Sequence, residues 1–128
     1  MSKYKLVVSD LDGTLLNSMH LVSERNAAAI RNIRAKGIRF VPATGRNYQS
    51  IEPLLNQIGT ADADDEYLIT CNGGMILADR GRRVLHLDEM PFDVASALYL
   101  HGLSQGVCTH VCTFSDEYVH NPGDVHQR

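Results

Sequence analysis

No run of apolar residues in this chain approaches the roughly 18 that a membrane span requires, and Met1-Ser2-Lys3-Tyr4-Lys5 is followed by only a short hydrophobic stretch. Neither a membrane helix nor a secretory leader is read from it, so no membrane partner and a cytoplasmic location are expected. Positive charge is also scarce. Twelve Lys and Arg against fifteen Asp and Glu leave a formal charge of -3, which offers no basic face to a nucleic-acid backbone. A small anionic substrate would need a local positive site instead. Cysteine is sparse as well: Cys71, Cys108 and Cys112 are an odd number, suited to reduced thiols rather than a disulfide framework. Cys108 and Cys112 with His110 and His120 match no common zinc module, and they fall in a strand-like segment where neighbours face opposite ways. The marks of wholesale disorder are missing too, since 44% hydrophobic and 21% charged residues in a chain of 128 fit one soluble globular core.

What is present is concentrated near the start. Directly after an apolar run stands Ser9-Asp10-Leu11-Asp12-Gly13-Thr14-Leu15-Leu16, two carboxylates two residues apart with a glycine and a hydroxyl behind them. Two nearby acids that both stay ionised repel one another, so such a pair recruits a divalent cation or shares a proton.

The setting of that octet follows from periodicity. Lys5-Leu6-Val7-Val8-Ser9 reads as a buried parallel strand ending at the acidic loop. Ser23 caps a predicted helix through Ala27, Ile30 and Ile33 to Lys36, stopped by Gly37. Ile38–Val41 is a second strand, Pro42-Ala43-Thr44-Gly45-Arg46 a small-residue loop, and Ile51, Leu54, Leu55 and Ile58 one face of a second helix ended by Gly59. Pro53 requires either Ser50 as N-cap or a kink. Asp62-Ala63-Asp64-Asp65-Glu66 is a solvated acidic loop, with metal binding the minor alternative, Tyr67–Cys71 a third buried strand, and Asn72-Gly73-Gly74 a turn with unusual backbone angles.

Strand, helix, strand, helix, strand implies a parallel sheet with helices on its faces. Met75–Ala78 and Arg83–Leu87 form a predicted hairpin at its edge. From Pro91 the character changes: Phe92, Val94, Ala95, Leu98, Tyr99 and Leu103 give an amphipathic helix ended by Gly106, and Val107–Phe114 reads as strand. Ser115-Asp116-Glu117 is a turn, Tyr118–His120 a partner strand and Asn121-Pro122-Gly123 a stop.

The sequence Asp10-Leu11-Asp12-Gly13-Thr14-Leu15-Leu16 at one strand end, Ala43-Thr44-Gly45-Arg46 at the next and Asn72-Gly73 after the third together resemble the haloacid dehalogenase superfamily, and within it the Cof-type phosphatases. The resemblance implies an α/β fold: an incomplete Rossmann-like parallel-sheet core over residues 1–88 and the beginning of an inserted α/β cap over 89–128. It also implies a Mg²⁺-dependent phosphatase acting on a small phosphorylated metabolite such as a sugar phosphate. Asp10 would be the nucleophile that forms an aspartyl-phosphate, and Asp12 the general acid and base, a role favoured by a pKa shifted toward working pH. Mg²⁺ would be held by Asp10 and Asp12, and the phosphate by Leu11, Gly13, Thr14, Thr44, Gly45 and Asn72. Thr14 would hold the loop through its side chain, and Thr44 would donate its hydroxyl to a phosphoryl oxygen.

Other readings stay open beside these. Arg46 contacts substrate or cap, or is an exposed structural arginine; Asn72 lies near the site or only forms the turn. Met19 and His20 line the substrate entrance or merely connect loop to helix. His86, His101, His110, His120 and His126 show no ligand spacing. Phosphoryl transfer by a mutase of the same superfamily, or a noncatalytic phosphometabolite-binding remnant, are the alternatives to hydrolysis.

One departure from the family pattern is expected to matter. The lysine and the Gly-Asp metal motif that follow the cap in the family are absent, and Gly123-Asp124 lies in the wrong region to replace them. A chain shortened in this way, whether a piece of a longer polypeptide or a short protein that pairs with itself through an open sheet, would be a poor enzyme. Removal of one preorganised electrostatic group costs about 10²–10³ in rate.

Overall fold

The computed structural model describes residues 3–59, 66–114 and 116–120. Two compact units are present, Met1–Asp88 and Glu89–Arg128.

In the first unit, β1 (Leu6–Asp10), β2 (Arg39–Ala43), β3 (Tyr67–Thr70), β4 (Met75–Ala78) and β5 (Arg83–Leu87) form one sheet in that spatial order. β1 to β3 run parallel, and the β4–β5 hairpin is added antiparallel beside β3. The alternation of apolar strands and amphipathic helices thus gives the α/β layout read from the sequence.

Two helices connect the parallel strands. α1 (Glu24–Ala35) begins where the Ser23 hydroxyl accepts from the Asn26 N–H at 3.2 Å, which satisfies one of the orphan donors of a helix start. α2 (Tyr48–Ile58) is capped by Asn47, whose side-chain oxygen accepts from the Ser50 N–H at 3.0 Å. Ser50 is therefore not the N-cap: it lies in the first turn and donates its hydroxyl back to the Asn47 carbonyl at 3.0 Å. Pro53 sits inside α2, in its second turn. Ala27 and Ile30 of α1, Ile51, Leu54, Leu55 and Ile58 of α2, and Phe40, Leu68 and Leu77 of the sheet form one buried cluster. Arg34 fastens the far ends of the helices, donating to the Gly59 carbonyl at 2.5 Å and pairing with Glu66.

Two expectations for the strands change. Within this length of chain, β1 is not a buried strand: Leu6 and Val8 are each 50% exposed where β1 pairs with β2 alone at the sheet edge, the open sheet expected of a shortened chain. β2 continues through Pro42 and Ala43, residues expected in the loop. The Thr44 N–H donates toward β3, to the Ile69 carbonyl at 2.9 Å. Pro42, two residues earlier on the same side of the strand, precedes the β2–β3 pairing at Ala43 and Ile69, so its missing donor interrupts no rung.

In the second unit, α3 (Phe92–Gln105) packs on a hairpin of β6 (Thr109–Cys112) and β7 (Glu117–His120). β6 is shorter than expected because Thr113 turns the chain: its hydroxyl and its N–H both donate to the Asp116 carbonyl, at 3.1 and 2.8 Å. The apolar face of α3 is only partly used. Ala95, Tyr99 and Leu103 are half-buried and Gly102 is buried against Thr109, whereas Phe92 at 86% exposure, Val94 and Leu98 face outward. A two-stranded hairpin is too narrow to cover more of the helix. His110 pairs with Glu117 at 2.8 Å and His120 sets its ring edge-on to Tyr99 at 6.1 Å, while the Cys108 and Cys112 thiols are exposed. The readings made for Asp62–Asp65, Ser115, Asn121-Pro122-Gly123, Asp124 and His126 lie outside the described residues.

Truncation tests this division of labour. Ile51→Ala, at a fully buried position, should cost about 2–5 kcal/mol in urea unfolding. Val8→Ser on exposed β1 should stay within about 0.5 kcal/mol, and a loss comparable to that of Ile51→Ala would show β1 buried after all.

Candidate active site

The parallel register aligns the carboxyl ends of β1 and β2, with Asp10 opposite Ala43, and Ala43 is in turn opposite Ile69 on β3. Each strand ends in a loop, and the three loops lie side by side at the edge where α/β sheets carry their sites.

The first loop is a single wide turn, Leu11–Leu15, closed by the Leu16 N–H donating to the Leu11 carbonyl at 2.9 Å. Leu11 buries its side chain in the core, which anchors the turn between the two acids. Gly13 has φ 74, and an added Cβ would meet nothing within 4 Å. The glycine is therefore required by backbone conformation, not by space. Thr14 donates its hydroxyl to Asp10 Oδ2 at 2.8 Å, the loop-holding bond expected of it.

The second and third loops interlock. The Asn72 N–H donates to the Thr44 carbonyl and the Cys71 N–H to the Arg46 carbonyl, both at 3.1 Å. Cys71, Asn72 and Gly73 all have positive φ, 51°, 55° and 92°, so β3 ends at Thr70 rather than at Cys71. The Asn72 carboxamide lies on Gly45: a Cβ there would sit 2.8 Å from Asn72 Oδ1. Thr44 is buried, and its hydroxyl oxygen accepts from the Arg46 N–H at 3.1 Å.

Arg46 joins the second loop to the first. Its Nε donates to Asp12 Oδ2 at 2.8 Å and its terminal nitrogen to Asp12 Oδ1 at 2.5 Å, a two-pronged ion pair. His20 stands beside it, with Nδ1 3.4 Å from Asp12 Oδ1 and 3.5 Å from the Arg46 guanidinium. His20 has φ 56, and its turn is organised by Asn17, whose side-chain oxygen accepts from the N–H groups of Met19 and Leu21 at 2.9 and 3.1 Å. Val22 closes that turn by bridging Leu16 and by donating its N–H to the Gln57 side chain at 3.0 Å.

The electrostatics differ from the expectation for Asp12. A pKa moved toward working pH was expected, but hydrogen bonding to Arg46, reinforced by its charge and by His20, outweighs partial desolvation and holds the Asp12 carboxyl below the usual range. Within the chain Thr14 donates to Asp10, and the Arg46 guanidinium neutralises Asp12. Asp10, Asp12, Thr14, Thr44, Gly45, Arg46 and Asn72 thus lie on three hydrogen-bonded loops. No group of three or more His, Cys, Asp or Glu side chains arranged to hold a metal occurs among the described residues. The sequence reading missed Asn17 as organiser of the turn; an Asn followed by Ser-Met-His after an apolar pair is the kind of Asx-turn signal that could have located it.

Together these features define an α/β protein with an acidic site at the carboxyl ends of parallel strands. The model of the haloacid dehalogenase-like hydrolases matches residues 7–128, and the chain belongs to that family. It is 30% identical over 118 residues to the putative phosphatase YxeH of Bacillus subtilis, covering 92% of this chain and 43% of that protein. It is 34% identical over 99 residues to the HMP-PP phosphatase of Serratia proteamaculans, covering 77% and 34%. A haloacid dehalogenase-like hydrolase from Bacteroides thetaiotaomicron superposes with a TM-score of 0.82 at 31% identity, over 94% of this chain and 45% of that one. The chain spans less than half the length of each of these relatives.

Two outcomes follow from this geometry. Because the folded-state pKa of Asp12 lies below its unfolded value, the Arg46–Asp12 pair adds stability above the unfolded pKa, and that stability is lost as pH falls through the folded one. Arg46→Gln should therefore cost up to about 1 kcal/mol at pH 7, both side chains being partly exposed, and the difference from wild type should vanish in acid. A deficit unchanged at pH 2 would show that the pair contributes nothing. Gly45→Ala should displace the Asn72 carboxamide, seen as amide NMR shifts at Thr44, Arg46 and Asn72 while the β4–β5 hairpin is unperturbed.

Proposed function

We propose that this chain carries the nucleophile half of a Mg²⁺-dependent phosphatase for a small phosphorylated metabolite such as a sugar phosphate, working through an aspartyl-phosphate. The observation that carries this reading is Asp10 itself, a carboxylate at the end of a parallel strand, oriented by the Thr14 hydroxyl and followed by the left-handed turn at Gly13. Its membership of a hydrolase family and its likeness to proteins named as phosphatases support the same chemistry.

In the first step an Asp10 carboxylate oxygen attacks phosphorus in line, the phosphorus–oxygen bond to the alcohol breaks, and Asp12 gives the departing oxygen a proton. In the second, Asp12 takes a proton from water, the water oxygen bonds to phosphorus, and the acyl-phosphate bond breaks to restore Asp10 and release phosphate. The turn at Gly13 leaves room for backbone N–H groups of residues 11–14 to face the phosphoryl oxygens. Thr44, whose oxygen already accepts from Arg46, offers its hydroxyl proton to the same group.

Mg²⁺ fits the donor chemistry, since carboxylate oxygens are hard ligands and this ion takes one or two of them and completes its shell with water and phosphate oxygens. Asp10 is the carboxylate best placed to hold it, and Asp12 could add a side-chain oxygen only after release from Arg46. When bound, Mg²⁺ supplies charge neutralisation between the carboxylate and the incoming phosphate.

Hydrolysis of p-nitrophenyl phosphate and of a panel of sugar phosphates with Mg²⁺ tests the reading, paired with ¹⁹F NMR of beryllofluoride capture on Asp10. Turnover or capture that Asp10→Asn lowers at least about 10³-fold is expected. Neither turnover nor capture, in this chain or in one extended by the lysine and the Gly-Asp metal motif, would favour the noncatalytic binding reading instead.

A further inference from the structure

The two-pronged contact between Arg46 and Asp12 sits awkwardly with the step assigned to Asp12. Both carboxylate oxygens are taken, Oδ2 by Nε at 2.8 Å and Oδ1 by the terminal nitrogen at 2.5 Å, with His20 a further 3.4 Å from Oδ1. A carboxylate forked in this way presents neither oxygen as the carrier of a transferable proton. The backbone of Arg46, by contrast, is fixed: its N–H donates to Thr44 Oγ1 and its carbonyl accepts from Cys71, each at 3.1 Å. The side chain is 30% exposed and its partner 44%, so the pair lies at the solvent-facing mouth of the site, where water screens it. A guanidinium presents the same planar fork to a phosphoryl group as to a carboxylate.

We propose that Arg46 is a partner-exchanging positioning residue: it locks Asp12 while the site is empty, swings from its fixed backbone pivot onto the phosphoryl or another anionic oxygen of an arriving phosphate ester, and thereby frees Asp12 for proton transfer. The inference rests on the role proposed for Asp12. It makes the acid available only when an anion has entered, so substrate recognition and release of the acid are one event. His20 remains beside Asp12 after the swing and keeps the freed carboxyl oriented.

A double-mutant cycle on the 128-residue chain tests this, with inorganic phosphate as the probe and amide NMR as the readout. Arg46→Gln should weaken phosphate binding at least about 10-fold, since a charged hydrogen-bonding partner is lost. Asp12→Asn should tighten it about 3- to 10-fold, because Arg46 no longer has a competing carboxylate. Loss of simple repulsion would also tighten binding, and the double variant separates the two causes. If Arg46 exchanges partners, the gain from Asp12→Asn disappears in the Arg46→Gln background; an equal gain in both backgrounds overturns the exchange and leaves the phosphatase reading standing. Arg46→Lys, which keeps the charge but not the fork, replaces Arg46→Gln should that variant fail to fold, and it should lose most of the coupling. Phosphate that moves none of the amides of Gly13, Thr14, Thr44 and Gly45 would overturn the site reading and the exchange with it.

Discussion

Parallel pairing of β1 with β2, with Asp10 opposite Ala43, is the constraint on which the rest of the site depends. Side chains alternate along a strand, so a slip of one residue would turn Asp10 to the other face of the sheet and carry the acidic turn away from the second loop. The register is held by its consequences on the buried face. Val7, itself 37% exposed, pairs with Phe40, and Phe40 joins Leu68 and Leu77 in the buried cluster with the two helices. Burial of that face, at roughly 25 cal/mol per Å², is thus what places two loops distant in sequence within reach of one ion pair. The open face of β1 adds little, which is why exposed Leu6 and Val8 can coexist with a paired carboxyl end.

Given that register, conformation does the remaining positioning. Gly13, Cys71, Asn72 and Gly73 adopt positive φ within the site loops, and His20 does so at its rim. Each non-glycine residue held there is strained by about 1–3 kcal/mol and persists only because surrounding contacts over-determine it. Those contacts are identifiable: backbone donors from Cys71 and Asn72 clasp the second loop, and the Asn17 carboxamide holds two N–H groups around His20. Strain of this kind concentrates where a turn must present its backbone or side chains outward, and here it lies on the loops that flank the acids.

The frame of the molecule was legible because it rests on local signals. Ser23 as a helix cap, the helical spacing of Ile51, Leu54, Leu55 and Ile58, and the paired runs at Met75–Ala78 and Arg83–Leu87 are each visible within a dozen residues. Errors arose where the deciding partner is remote or ambiguous. Burial of Leu6-Val7-Val8 depends on elements that cover β1, which no local pattern can supply, whereas the open sheet itself follows the expectation for a shortened chain. Asn47 displaced Ser50 as cap because both are good capping residues and only packing of the α2 face chooses between them. The direction of the Asp12 pKa shift differed for a related reason: the expected acid and base role pointed upward, whereas the fork from Arg46, thirty-four residues away, exists only once β1 and β2 are in register.

That fork also determines what the site lacks. Asp10 and Asp12 carry two negative charges and Arg46 one positive charge, so the empty site is close to balanced at net -1. Entry of a phosphate dianion would bring the total to -3, and like charges gathered in one site repel. Moving Arg46 onto the phosphate redistributes positive charge without adding any. On the proposed reading, a divalent cation held by Asp10 would offset two of the three charges, and protonation of a released Asp12 would remove the third. In the proposed reaction the two departures from the resting arrangement, a cation at Asp10 and a proton on Asp12, would be linked by charge balance, and the proposed exchange would make the position of Arg46 decide whether the second occurs.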